Sequence, residues 1–307
     1  MKDRIIFLVG PTAIGKSEIA VRLAKKIKAE IISCDSMQLY KKMDIITSKP
    51  SSALRKSVPH HLIDIIPVNK EYNVSKYYCD TGRQIKEILK RKRAPLIVGG
   101  TGLYMSILVD GLFKNKASGK AARERLYKQA EDKGSGYLHK RLNAVDPEAA
   151  AKIHPNDTKR IVRALEVFEV TGKPISKLQK QRRGLSQIYE IKIFGLDMPR
   201  EELYRRIDKR VDKMFSEGIV NEVKRLLKSK LSKTANYAIG IRELKGYFDG
   251  LYDLEEAKRL IKKNTRQYAK RQMTWFRKDK RINWIEVGAK EKPLVVAGRI
   301  FKNLETQ

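Results

Sequence analysis

The sequence predicts an α/β fold, a P-loop, nucleotide-kinase-like parallel sheet carrying an all-helical insertion and a helical C-terminal region. Two observations carry the core. Apolar runs at Ile5–Val9 and Leu96–Val98, and the mostly apolar Ala29–Cys34, read as strands buried on both faces, as the strands of parallel sheets are. The first and third are each followed by a glycine turn and a helical pattern, and strands alternating with helices imply a parallel sheet. The third observation is a change of character: from about residue 113 to 189 no buried strand appears. The predicted division is therefore a core of residues 1–112 and 190–307 and a helical insertion of residues 113–189.

The first strand runs into Gly10-Pro11-Thr12-Ala13-Ile14-Gly15-Lys16-Ser17, which fits G-x-x-x-x-G-K-[ST]. The glycines of this pattern let main-chain N–H groups curl around phosphate oxygens, the lysine adds a point charge, and the hydroxyl can ligate Mg²⁺. A helix from Glu18 to about Ile27 follows, with Ile19, Leu23, Ala24 and Ile27 on one face and its positive end toward the same anion. A ligand with a di- or triphosphate is expected here.

The second strand ends at Asp35, where ligands gather in open parallel sheets. Residues 41–59 read as irregular, and 58–66 as a short apolar strand. Residues 72–91 carry helical periodicity with a basic end, and Leu96–Val98 leads into Gly99-Gly100-Thr101-Gly102, a tight turn before a helix. In the insertion, Asp146-Pro147 is an N-cap and N1 pair opening 148–153, and Asn156-Asp157 caps a helix over 158–170 that Gly172 and Pro174 stop. Glu190–Asp197 alternates and reads as a returning core strand. Helices are expected over 200–217, 219–230 and 254–278, then an edge strand over 282–287.

Composition bounds the function. The 307 residues include 67 Lys and Arg against 35 Asp and Glu, a formal charge of +32 that points to a polyanionic partner. Two cysteines, Cys34 and Cys79, make neither a disulfide framework nor a four-ligand zinc site. No secretory leader or membrane-length apolar run is present, so a soluble, cytoplasmic protein is expected.

Leu96–Val98 ends in glycine, not in the aspartate that motor ATPases and GTPases use to hold Mg²⁺. Asp35 is the carboxylate at a strand end instead; it either caps the following turn or stands beside the phosphate chemistry. A second constellation is Arg259, Lys263, Arg266, Lys270 and Arg277, aligned along one stripe of a helix with Leu260, Ile261, Tyr268 and Trp275 on the other side. A single acidic residue, Asp279, lies between Lys258 and Arg281, so the stripe lacks intrahelical partners and reads as a phosphate-backbone grip. His60 and His61 face opposite ways in a strand and do not share a metal.

Together these pieces resemble the tRNA dimethylallyltransferase (isopentenyltransferase) family of bacterial type. The match runs through residues 10–17, Asp-Ser-Met-Gln-Leu-Tyr at 35–40, Ser-Lys-Pro at 48–50, Pro-His-His-Leu-Ile-Asp at 59–64 and Gly-Gly-Thr-Gly-Leu-Tyr at 99–104. It continues in Ile-His-Pro-Asn-Asp at 153–157, Arg163-Ala-Leu-Glu at 163–166, Ala238-Ile239-Gly240 and Thr-Arg-Gln-Tyr-Ala-Lys-Arg-Gln-Met-Thr-Trp-Phe at 265–276. Ile46 and Ile241 depart from the family pattern, which usually has glycine and tyrosine there. The resemblance implies that Gly10, Thr12, Ala13, Ile14, Gly15, Lys16 and Ser17 hold the diphosphate of dimethylallyl diphosphate, with Mg²⁺ on Ser17 and Arg210 as a second clamp. It implies that Asp35 accepts a proton from the exocyclic amine of adenosine 37 of a tRNA, flipped out of the anticodon loop. Asp35, Ser36, Met37, Gln38 and Thr101 would contact that RNA, and Lys159, Arg160, Arg163, Gly240, Arg242, Lys270, Arg271, Gln272 and Arg277 would grip the anticodon stem-loop. A monomer is the expected state. The rivals are a small-molecule kinase, an isopentenyltransferase acting on free adenine nucleotides, and an RNA-binding module with a vestigial P-loop.

Overall fold

The computed structural model describes residues 3–113 and 119–306. In chain order the elements are β1 (Arg4–Val9), α1 (Lys16–Lys26), β2 (Ala29–Cys34), α2 (Ser52–Ser57), β3 (His60–His61), α3 (Val74–Lys90), β4 (Ala94–Gly99) and α4 (Gly102–Asp110). There follow α5 (Lys120–Lys133), α6 (Ser135–Val145), α7 (Pro147–Lys152), α8 (Thr158–Thr171), α9 (Ile175–Lys180) and β5 (Glu190–Asp197). The chain ends with α10 (Arg200–Ser216), α11 (Ile219–Leu227), α12 (Ile241–Phe248), α13 (Leu254–Phe276), β6 (Ile282–Glu286) and α14 (Pro293–Glu305).

The six strands form one sheet in the order β3-β2-β4-β1-β5-β6, and every pairing is parallel. The apolar runs account for it: Ile5, Phe7, Leu8, Val9, Ile32, Leu96 and Ile97 are completely shielded from water. One side of the sheet is closed by α1 and α14, whose Ile19, Leu23, Val296, Ala297 and Ile300 share a core with Ile6, Leu8, Leu96 and Phe194.

Two compact units result, one of residues 1–109 and 188–307, the other of residues 110–187. The second has its own apolar core, built from Leu126, Leu138, Leu142, Ile161, Leu165 and Val167. Within it the Asp146 side chain accepts from the Ala149 N–H (3.0 Å) at the start of α7, and Asp157 accepts from the Arg160 N–H (3.2 Å) at the start of α8. Gly172 ends α8 in the left-handed region (φ 66°), a position that costs other residues steric strain.

The structure corrects the sequence expectations in three places. The stretch 41–59 is not wholly irregular, because Ser51 caps the short helix α2. The apolar segment 58–66 is not one continuous strand: it pairs with β2 at His60–His61, on the sheet edge, and separately bridges Tyr40 at Ile66. Helices α12 and α14 were not anticipated: the first is bounded by Gly240 and Gly250 and interrupted by Gly246, which blurs its periodicity. Among the described residues no helix is long and apolar enough to cross a membrane.

Candidate active site

Strand register gathers the site. Val9 of β1 and Cys34 of β2 both align with Gly99 of β4, so Gly10, Asp35 and Gly100 leave the sheet at one level. A Cβ on Gly99 would lie 2.1 Å from the Cys34 carbonyl oxygen, so only glycine permits this approach. Above that edge lies a cavity of about 670 Å³ whose lining includes Thr12, Gly15, Lys16, Ser17, Asp35, Gly100, Arg210, Tyr268 and Gln272.

The loop between β1 and α1 is coiled tightly. Ala13 (φ 65°) and Gly15 (φ 98°) both adopt the left-handed region, the alternation that turns successive N–H groups into an anion-binding concavity. The Lys16 ammonium donates to the carbonyls of Gly10 (3.0 Å) and Pro11 (2.7 Å), which ties the lysine across its own loop. Burial, aided by the neighbouring Arg210 cation, lowers its pKa to about 7 although Asp35 pulls the other way. Arg210, on α10, donates from Nε to Ser48 Oγ (2.7 Å) and from Nη1 to Thr12 Oγ1 (2.9 Å). Burial lowers its pKa too. Two desolvated cations beside a main-chain cradle make a strong field for a polyphosphate.

Asp35 sits opposite. Its Oδ1 accepts from the N–H groups of Met37 (2.9 Å) and Gln38 (3.4 Å), the turn-capping role open to it in sequence. Oδ2 has no hydrogen-bond partner among the described residues, so the carboxylate retains an oxygen to take a proton. The Thr101 hydroxyl accepts from the Ser36 N–H (3.1 Å), and the Thr101 N–H donates to the Cys34 carbonyl (3.1 Å), fastening the Asp35 turn to the β4 turn. Gln38 turns inward, accepting from Ser33 Oγ (3.2 Å). The neighbouring Cys34 thiol is pushed up to about 12 by burial, which removes it as a nucleophile or thiolate ligand. His60 hydrogen-bonds Val58 and His61 pairs with Glu30, on separate partners.

The basic residues divide into two classes, which corrects the unpaired stripe expected of α13. Helix α10 lies alongside; its Asp208 neutralises one stripe residue, and its Asp212 takes two cations beside the stripe. Arg266 bonds both Asp208 oxygens (3.0 and 2.9 Å), and Lys258 and Lys262 both reach Asp212 (3.0 and 2.7 Å). Arg259 pairs with Glu256 one turn earlier, and Arg277 with Asp197. Lys263, Lys270 and Arg271 remain exposed. Arg242 lies over the Tyr237 ring at 4.7 Å. In the unit of residues 110–187, Arg160 pairs with Asp157 and Arg163 shares Glu166 with Arg123, while the Lys159 side chain borders a shallow depression with His154 and Asn156.

Two positions assigned to RNA contact are buried and hydrogen-bonded within the protein. Gln272 is 6% exposed, with its oxygen on the Thr12 N–H and its nitrogen on the Gly100 carbonyl, both at 2.9 Å. Gly240 is buried, its N–H is taken by Glu243 (2.7 Å), and the Ile46 side chain lies 3.2 Å from where its Cβ would be. That contact joins one departure from the family pattern, Ile46, to the residue preceding the other, Ile241. Sequence reading also missed Ser48, Tyr268 and Glu222. Tyr268, Gln272 and Trp275 stand at i, i+4 and i+7 of α13, a spacing that signals one shared face.

Comparisons with known proteins place the chain in a family. The model described as IPP transferase matches residues 38–279, and the one described as Isopentenyl transferase matches residues 3–65. The chain is 47% identical over 290 residues to the tRNA dimethylallyltransferase of Geobacter sulfurreducens, covering 94% of this chain and 93% of that one. Its structure resembles the tRNA isopentenylpyrophosphate transferase of Bacillus halodurans (TM-score 0.72, 38% identity, 99% of this chain and 98% of that one). It also resembles a eukaryotic dimethylallyltransferase solved acting on tRNA (TM-score 0.75, 29% identity, 92% of this chain and 74% of that one). With a family model spanning most of its length and relatives this similar from end to end, the chain belongs to the IPP transferase family.

Proposed function

We propose that the protein transfers the dimethylallyl group of dimethylallyl diphosphate to the exocyclic amine of adenosine 37 of tRNAs. The observation that carries this is the single sheet edge on which a polyphosphate cradle (residues 10–17, with Arg210) faces a carboxylate, Asp35, whose Oδ2 is unengaged. The adenine N6 attacks the terminal allylic carbon, the carbon–oxygen bond to the diphosphate breaks, and the N6 proton passes to Asp35. Diphosphate leaves with the bond's electron pair, held by the main-chain N–H groups of residues 13–17, Lys16 and Arg210. Ser36, Met37 and Thr101 lie beside Asp35 where an extruded base would enter.

Mg²⁺ fits the donor set: Ser17 offers a hard hydroxyl oxygen in the cavity, and Mg²⁺ commonly pairs one or two protein oxygens with substrate phosphates and water. When bound, it would neutralise charge on the departing diphosphate. Lys270, Arg271 and Arg242, with Lys159, Arg160 and Arg163, supply the cations for the anticodon stem-loop. The enzyme works as a cytoplasmic monomer in this reading.

The test is incubation with labelled dimethylallyl diphosphate, Mg²⁺ and unmodified anticodon stem-loop, scored for label in RNA and for ATP turnover in parallel. Label enters the RNA, and Asp35→Ala lowers the transfer rate by about 10²- to 10⁴-fold. Full activity of Asp35→Ala would remove the proton-acceptor role, and ATP hydrolysis without transfer would favour a kinase.

A further inference from the structure

We infer that Gln272 is a positioning residue that holds the diphosphate cradle and the Asp35 carboxylate in mutual register. The inference rests on the transferase reading above and adds to it a residue that touches neither reacting end. The Gln272 amide is buried and spans two loops that leave neighbouring strands: Oε1 accepts from the Thr12 N–H after β1, and Nε2 donates to the Gly100 carbonyl after β4. Only a side chain that donates and accepts at once satisfies both partners, which selects an amide over an ionised carboxylate or a thioether. Gly100 is complementary: a Cβ there would lie 2.1 Å from Nε2, so the amide reaches the turn because that side chain is missing.

Each loop continues to one end of the reaction. Thr12 carries the hydroxyl that accepts from Arg210, so the bond to its N–H sets the clamp on the leaving group. Thr101 follows Gly100 and is fastened to Cys34 and Ser36 on both sides of Asp35. The path from carboxylate to clamp thus passes through one amide on α13. In-line displacement with concerted proton removal is sensitive to this separation, since misplacement by about 1 Å can cost around 10²-fold in rate.

Two variants separate positioning from mere support. Gln272→Met keeps the length and loses both polar atoms; Gly100→Ala displaces the amide with residue 272 intact. Both lower the single-turnover transfer rate at saturating substrates by about 30- to 100-fold, while the stem-loop dissociation constant by anisotropy stays within about threefold. The double variant is no slower than the worse single one, because both remove the same link. Gln272→Glu recovers rate as the pH is lowered, since a protonated carboxyl both donates and accepts as the amide does, whereas a role in stability alone would not move the pH profile this way. Gln272→Met with full rate and weakened stem-loop binding would overturn the inference and return the residue to RNA contact. Hydrogen exchange needs no turnover: Gln272→Met raises exchange at residues 10–17, and unchanged protection there refutes the link. A wild-type protein that transferred nothing would sink the transferase reading while exchange still decided the role of Gln272.

Discussion

Lys16 shows how a single side chain can make ligand binding depend on pH. Burial and the nearby Arg210 cation bring its pKa to about 7, whereas the same lysine in an unfolded chain titrates at its ordinary value of 10.5. Between those values the unfolded chain holds a proton that the native protein lacks, so stability contributed through Lys16 increases as the pH rises from 7 toward 10.5. A diphosphate against the ammonium favours the charged form and restores the proton. Binding at pH 8 therefore takes up close to one proton, and affinity falls toward tenfold per pH unit above about 7. At pH 6 the lysine is already charged and takes up none. Calorimetry of diphosphate binding in two buffers of different ionisation enthalpy measures this, with Lys16→Arg as the control: the ligand's own ionisation persists there and the lysine's disappears. An identical pH slope in the two proteins would show that the lysine keeps its charge throughout.

At the scale of elements, the site depends on loops pinned by side chains from distant helices, and Glu222 of α11 is a clear case. Its carboxylate is buried and accepts from the N–H groups of Asp44 (3.1 Å), Ile45 (2.9 Å) and Ile46 (2.9 Å), in the loop that ends at Ser48, the partner of Arg210. Glu222→Gln replaces one acceptor oxygen by an NH₂ group that faces N–H donors, and should destabilise the protein by about 2–3 kcal/mol in urea unfolding. Faster hydrogen exchange over residues 44–46 would locate the effect. The strands, α1, α3, α8, α10 and α13 were legible because apolar runs and caps are local signals. Glu222, Gln272 and Ser48 were not, since their partners lie 176 or more, 172 or more and 162 residues away along the chain. For the same reason Arg266 and Arg277 looked unpaired: Asp208 belongs to another helix and Asp197 to β5, whereas the Glu256 partner of Arg259 lies only three residues away along α13. Asp35 was legible through the end of β2, yet sequence alone does not reveal that Oδ1 caps the turn while Oδ2 has no partner among the described residues.

For the whole molecule the question is which of the 67 basic residues act on a polyanion. Cations already held by carboxylates, such as Lys262 on Asp212, release few counterions when RNA binds, whereas the exposed Lys270 and Arg271 release them fully. Each of Lys270→Ala and Arg271→Ala should lower the slope of log K against log salt for stem-loop binding by about 0.7, while Lys262→Ala leaves it unchanged. Arg160 belongs to the other compact unit, where its exposed pair with Asp157 is weak enough to exchange for phosphate. If both units supply cations independently, Arg160→Ala combined with Arg271→Ala loses the sum of the two single losses in binding free energy, within about 0.5 kcal/mol. Anisotropy titrations of labelled stem-loop at four salt concentrations give both quantities from one set of proteins. A double variant no weaker than Arg271→Ala would remove the 110–187 unit from the RNA grip and leave that role to the cations around the sheet edge.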